Sequence, residues 1–405
     1  MITHWRNGNR LELLENGEAY YPRLFAAIAA AREEVLVETF ILFDDPVGRQ
    51  FRDAAIAAAR RGAAVRITID GFGSADLDAT FTAPLLEAGV HIHVYDPVQR
   101  LFGQRTRIFR RLHRKLAVID RRLAFCGGIN LSHDHLRDFG EQSKQDYALQ
   151  IEGPVVADIH RTMLEVLAPP PRRWRWLRRQ RLAPVSPQQQ PQDGPAVAAV
   201  VIRDNDRHRA DIERLYRLGI RAARHDIVIA NAYFFPGYRL LRDLRHAARR
   251  GVRVRVILQG NPDMRFVQWA ANTLHDYLLH AGVRIYEYCE RPMHAKVALI
   301  DGDWLTVGSS NLDPLSLFLN LEANVFARDH GAAAALRDSL EHLLAAHCRE
   351  IDPATARRRT LVRQLLSYLA YHATRRLPAF AGWLPAHAPT RATLPQAAAG
   401  EMREP

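Results

Sequence analysis

The sequence predicts an α/β fold built twice, as two homologous halves that each hold a mixed β-sheet flanked by helices. Three observations carry this. Strings recur at long range: AAARRGAAVRITIDG at 57–71 is echoed by HAARRGVRVRVILQG at 246–260, and Glu87-Ala88-Gly89-Val90 by His280-Ala281-Gly282-Val283. Short apolar runs alternate with amphipathic stretches, the pattern of a sheet covered by helices. The 405 residues are enough for two or three domains that each bury a core.

Each half reads in the same order: helix, apolar strand, helix, strand, helix, strand, then two further strands. The first apolar strand is Glu34–Leu42 in one half and Asp226–Ala232 in the other, rich in β-branched and aliphatic residues. The echoed strings supply the next units, each an Ala/Arg helix end, a glycine turn and a Val/Ile strand. The first half is placed at 1–167 and the second at 196–350. Between them, 168–195 carries three consecutive prolines, an Arg/Trp run and PVSPQQQPQDGP, the composition of a linker. Residues 351–385 are expected to form an amphipathic segment and 386–405 a disordered tail.

The last strands of each half carry the chemistry. Only three lysines occur in the chain, and two stand in matching segments. His113-Arg-Lys115-Leu-Ala-Val-Ile-Asp120 leads to Gly127-Gly128-Ile129-Asn130, and His294-Ala-Lys296-Val-Ala-Leu-Ile-Asp301 leads to Gly308-Ser309-Ser310-Asn311 with identical spacing. On a strand, residues two apart share a face, so each histidine points with its lysine into one space. The aspartate lies an odd number of residues away beside a turn, which suits structural or electrostatic support. An imidazole can attack a phosphodiester while a second protonates the departing alkoxide. Lysine ammonium groups and the carboxamides of Asn130 and Asn311 suit the phosphoryl oxygens. The internal symmetry does not say which histidine attacks.

The duplicated His-x-Lys-x4-Asp-x6-Gly-(Gly/Ser)-x-Asn motif resembles that of the phospholipase D superfamily. LELLENGEAYYP, the KQDY segment around Asp146, NAYFFPGY at 231–238 and VGSSNLDPLSLFLNLEANV at 307–325 resemble its bacterial cardiolipin synthase branch, and the resemblance runs from about Trp5 to His387. It implies one active site at the interface of the halves, with His113, Lys115, Asp120, His294, Lys296 and Asp301 as the catalytic set. It also implies His113 as nucleophile and His294 as acid and base. Glu322 resembles the orienting carboxylate of the second half; Asp146 is the matching candidate in the first, with Glu141 as the alternative there. Ordinary strand-edge carboxylates would look the same. The implied reaction joins two phosphatidylglycerols into cardiolipin and glycerol through a phosphohistidine, with no cofactor and no metal. A phospholipase D-type hydrolase and a metal-independent phosphodiesterase or nuclease use the same residues.

Charge and composition bear on the partner. A net charge of +12 and a pI near 10 favour an anionic partner, membrane lipid or nucleic acid. Arg100, Arg105, Arg107, Arg110 and Arg111 precede the first motif and could hold a head group or a phosphate backbone, or be a solvated loop. Pro171-Arg-Arg-Trp174-Arg-Trp176 and the apolar, arginine-interrupted 361–384 tip the reading toward an anionic phospholipid surface and away from nucleic acid; the second segment docks on a bilayer or packs on the core. No signal-peptide pattern opens the sequence, and Cys126, Cys289 and Cys348 lack metal or redox spacing. The resemblance implies a peripheral place on the cytoplasmic face of a bacterial inner membrane, with which these features agree. His91-Ile-His93 and His133-Asp-His135 lack the further ligands of a zinc site. No dinucleotide loop, Walker string or Gly-x-Ser-x-Gly elbow occurs, so no nucleotide partner is implied.

Overall fold

The computed structural model describes residues 4–97, 100–101, 104–105, 110–167, 193–260, 276–352 and 390–395. The first half runs β1 (Arg6–Gly8), β2 (Arg10–Glu15), α1 (Asn16–Ala30), β3 (Glu34–Thr39), α2 (Pro46–Arg60), β4 (Ala64–Asp70), α3 (Ala79–Glu87) and β5 (His91–Tyr95). A small hairpin of β6 (Arg100–Leu101) and β7 (Gln104–Arg105) follows, then β8 (Leu116–Ile119), β9 (Leu123–Gly127), β10 (Tyr147–Glu152) and α4 (Val155–Leu167). The second half runs β11 (Gly194–Arg203), α5 (Asp211–Ala222), β12 (Asp226–Asn231), α6 (Tyr238–Arg249), β13 (Arg253–Gln259), β14 (Arg284–Tyr288), β15 (Lys296–Ile300) and β16 (Trp304–Gly308). It continues through α7 (Pro314–Phe318), β17 (Glu322–Arg328), α8 (His330–Ala346) and β18 (Cys348–Glu350), with β19 (Arg391–Thr393) beyond.

Two mixed sheets result, ordered β19-β5-β4-β3-β8-β9-β10-β2 and β1-β11-β17-β16-β15-β12-β13-β14-β18. Strands β3, β4 and β5 are parallel, as are β12, β13 and β14, while β8 and β15 run antiparallel to β3 and β12. The motif strands lie mid-sheet and are buried along their whole length, which is why they read as unbroken apolar runs. Side chains of Asp45, Asp78 and Asp329 accept the backbone amides of Gly48, Phe81 and Ala332, capping α2, α3 and α8.

The halves share a core. Leu36, Val118, Tyr147 and Leu149 of the first sheet pack in one cluster with Val228, Tyr288, Val297 and Val325 of the second, filled in by Ile159 of α4 and Leu336 of α8. Each half keeps a separate core on its outer face, under α1–α3 and under α5–α6. A shared apolar layer of this kind fixes the relative orientation of the two sheets, and so of the two motifs.

The domain limits differ from expectation at three places. β1 belongs to the second sheet, where Arg6 pairs with Ala198. β11 begins at Gly194, inside the expected linker, whose remainder at 168–192 lies outside the described residues. Residues 391–393, expected to be disordered, pair with β5 as a strand. Apart from Ile351 and Asp352, the expected amphipathic segment also lies outside the described residues. The basic stretch before the first motif is corrected at one residue: Arg111 is buried and ion-paired to Asp70 and Asp96, so it holds the fold together and does not face a ligand. Among the described residues, no helix is long and apolar enough to cross a membrane.

Candidate active site

The two motifs meet because the chain ahead of each motif strand bonds to the chain ahead of the other half's carboxylate strand. His113 N donates to Leu321 O and Leu321 N to Arg111 O; His294 N donates to Gln145 O and Gln145 N to Pro292 O. These short parallel bridges, Leu112 with Leu321 and Gln145 with Met293, place Glu322 beside His113 and Asp146 beside His294. The orienting carboxylates are therefore crossed between halves, which corrects the assignment of each to its own half. His113 Nδ1 lies 3.0 Å from Glu322, and His294 Nδ1 lies 2.5 Å from Asp146. With Nδ1 held, Nε2 of each ring is left for chemistry. The histidine side chains keep 13% and 18% exposure while both carboxylates are fully buried, so of each pair only the ring reaches solvent.

Glycine and serine in the motif tails make room for these carboxylates. A Cβ on Gly128 would sit 2.4 Å from one Asp146 oxygen and 2.5 Å from the other. At the matching position of the second half Ser309 donates its hydroxyl to Glu322 at 2.5 Å. The place of Ser309 opposite Gly128 in the repeat is the sequence signal for this supporting role. Asp146 also accepts the Tyr147 amide at 2.8 Å.

Lys115 and Lys296 are buried and each turns back to donate to the carbonyl of its own motif histidine. Burial pushes Lys115 down to about 7 and Lys296 to about 8, against the pull of Glu322 and Asp146. Burial likewise lowers His113, with Glu322 opposing, and lowers His294 further, helped by Lys296, Lys144 and His135. Asp146 is raised by burial to about 6, offset by Lys296; Glu322 is also pushed up by burial, but His113, Lys115 and Ser309 outweigh this and hold it below the usual carboxylate range. Both carboxylates are thus ionised near neutrality, and burial favours the neutral form of both imidazoles.

Asn130 and Asn311 are buried at the same end of their strands. Asn130 Oδ1 accepts the Ile41 amide at 3.3 Å, while Asn311 Oδ1 has no partner among the described residues. Asp120 and Asp301 are corrected. They sit at the far end of β8 and β15 and accept backbone amides of residues 32–34 and 224–226, tying down the turns into β3 and β12. Their φ values are both +49°, a left-handed turn that aspartate tolerates. Their role is structural, because the strand length separates them from the histidines. Lys144 pairs with Asp134.

Among the described residues one group, His135, Asp146 and His294, brings ligating atoms within 4.8 Å of one another. It does not present three lone pairs to a metal: Asp146 and His294 already bond to each other, and His135 Nε2 accepts the Asn130 amide at 3.2 Å.

Two imidazoles with crossed carboxylates and two buried lysines, at the seam of a duplicated α/β fold, define a phosphodiester-handling site of the phospholipase D-like class. The family model described as "Cardiolipin synthase, PLD-like domain" matches residues 24–166 and 217–344, and the chain belongs to that family. It is 50% identical over 389 residues to cardiolipin synthase B of Escherichia coli K12, covering 96% of this chain and 93% of the relative. It is 33% identical over 337 residues to cardiolipin synthase A of Pseudomonas putida KT2440, covering 83% and 67%. Among solved structures, phosphatidylserine synthase of Haemophilus influenzae Rd KW20 superposes with a TM-score of 0.63 at 13% identity, over 91% of this chain and 94% of that one, a likeness of fold.

Proposed function

We propose that the chain is a phosphatidyltransferase that makes cardiolipin and glycerol from two phosphatidylglycerols. The observation that carries the reading is the pair of crossed His–carboxylate contacts beside two buried lysines, in a chain half identical to cardiolipin synthase B. His113 Nε2 attacks phosphorus, the P–O bond to the terminal glycerol breaks, and His294 gives that oxygen a proton. The hydroxyl of a second phosphatidylglycerol then loses its proton to His294 and attacks phosphorus as the N–P bond breaks. Glu322 and Asp146 stabilise the imidazolium forms and fix the rings. Lys115 and Lys296 release their intramolecular bonds to take the phosphoryl oxygens, and the anion restores their charge. Asn130 and Asn311 complete the oxygen contacts. We place the enzyme peripherally on the cytoplasmic face of the inner membrane, in line with the net charge of +12 and an anionic lipid substrate.

The test is mass spectrometry of lipids after incubating the full chain with phosphatidylglycerol vesicles. Cardiolipin plus free glycerol from the parent, lost in His113→Ala and His294→Ala, supports transfer. Phosphatidic acid alone would replace it with hydrolysis, and no lipid product from folded protein would sink the lipid reading.

A further inference from the structure

The two motifs keep the same spacing from histidine to asparagine and then diverge, and five positions past the asparagine the first half has His135 where the second has Ser316. His135 lies in a 3-10 turn and is fully buried. Its Nε2 accepts the backbone amide of Asn130, which fixes the ring as a neutral tautomer with the proton on Nδ1. That Nδ1–H is buried and has no partner among the described residues. Its ring stands edge-on to His294, with centroids 5.5 Å apart, and one of its nitrogens is within 4.8 Å of both Asp146 and His294. A carboxylate can accept about four hydrogen bonds. Asp146 takes one from Tyr147 N and one from His294, so it has capacity for the donor that His135 leaves free.

We propose that His135 is a positioning residue for the His294–Asp146 pair, its Nδ1–H serving Asp146, and that this third imidazole makes the two motif histidines unequal. A His135 nitrogen lies within 4.8 Å of an Asp146 oxygen, and the contact tightens as substrate binds, as catalytic hydrogen bonds commonly do. A donor on Asp146 draws negative charge away from His294 and makes that ring a readier proton donor, which an alcohol-releasing and alcohol-activating group requires. Burial, helped by Lys144, Lys296 and Lys115 and opposed by Asp134, leaves His135 well below the usual imidazole range, so it stays neutral throughout. His113, held by Glu322 with Ser309 behind it, has Ser316 at the corresponding sequence position and no imidazole ring against it among the described residues.

The inference rests on the two-histidine reading of the site, and its test separates the two. Asparagine places an amide N–H where imidazole Nδ1 lies, whereas glutamine reaches the Nε2 position and keeps only the Asn130 contact. The pH dependence of kcat/KM on phosphatidylglycerol vesicles is measured for the parent, His135→Asn and His135→Gln, with melting curves to confirm folding. The expected result is that one limb of the profile moves to higher pH by about half to one unit in His135→Gln, as for loss of one hydrogen bond to a carboxylate partner, while His135→Asn keeps the parental limbs. Unmoved limbs in His135→Gln, or equal shifts in both variants, would overturn the proposal. If glutamine does not fold, His135→Ser, the residue of the other half, takes its place with the same expectation. Persistence of turnover in His113→Ala or His294→Ala would instead refute the reading of the site, and the inference with it.

Discussion

Replacing Lys115 with methionine should stabilise the folded protein below neutral pH while destroying its turnover. The buried ammonium is held at about 7 against an ordinary value of 10.5, chiefly by desolvation. At about 1.4 kcal/mol per pH unit that gap corresponds to about 5 kcal/mol of unfavourable burial when the group is charged. Methionine removes this term but leaves His113 O without its donor, a loss of about 1–2 kcal/mol. The net gain is thus about 3 kcal/mol, an upper figure because a buried site relaxes. The sign follows from linkage: between about 7 and 10.5 the unfolded chain binds a proton that folded Lys115 does not, so parental stability rises with pH through that window. In Lys115→Met this contribution is absent, so the variant should exceed the parent at pH 6 and fall to or slightly below it by pH 10, where only the lost bond to His113 O remains. Denaturant unfolding across that range reads the difference directly. Turnover should fall by about a thousandfold, the scale of losing one electrostatic contact to a transition state. A variant less stable than the parent at pH 6, with an unchanged pH slope, would refute the claim that Lys115 is a charge stored at a cost for substrate.

Four further outcomes are expected. The pH profile of kcat/KM should peak on the acid side of 6.5, because burial lowers both motif histidines, and should fall as Lys115 and Lys296 lose charge through about 7 and 8; a maximum above pH 8 would contradict this. Histidine NMR titrations should show Glu322→Gln moving chiefly the ring of His113 and Asp146→Asn that of His294; effects confined to each residue's own half would exclude the crossed arrangement. Asp120→Asn and Asp301→Asn should cost about 1–3 kcal/mol each in unfolding while the folded fraction keeps parental turnover within about twofold, since these carboxylates bond only to backbone amides of turns. Gly128→Ala should fold yet lose about a hundredfold in turnover, because its methyl would displace Asp146 from His294; near-parental activity would show that Asp146 is not needed there.

Much of this molecule was legible because its internal repeat leaves the chemistry written twice. The repeated strings gave both α/β halves, and the equal spacing of His113, Lys115, Gly127 and Asn130 with His294, Lys296, Gly308 and Asn311 gave the reactive set. Strand periodicity sufficed to put each histidine beside its lysine, since that relation is local. The same periodicity placed Asp120 and Asp301 off the shared face, where they prove to tie turns to strand ends.

What the chain could not express locally is which half serves which. Both carboxylates are visible in the sequence, yet only the parallel bridges 112–321 and 145–293 decide that Glu322 holds His113 and Asp146 holds His294. The same holds for β1, whose three residues join the other half's sheet, and for β19, a short tail strand whose pairing partner lies about 300 residues away. His135 could be seen in the sequence but not understood, because its meaning lies in an amide it accepts, a carboxylate of its own half and the His294 ring across the seam. Local pattern fixes which face a side chain takes on its own strand. Which group it meets there is decided by long-range pairing and by the apolar layer that presses the two sheets together.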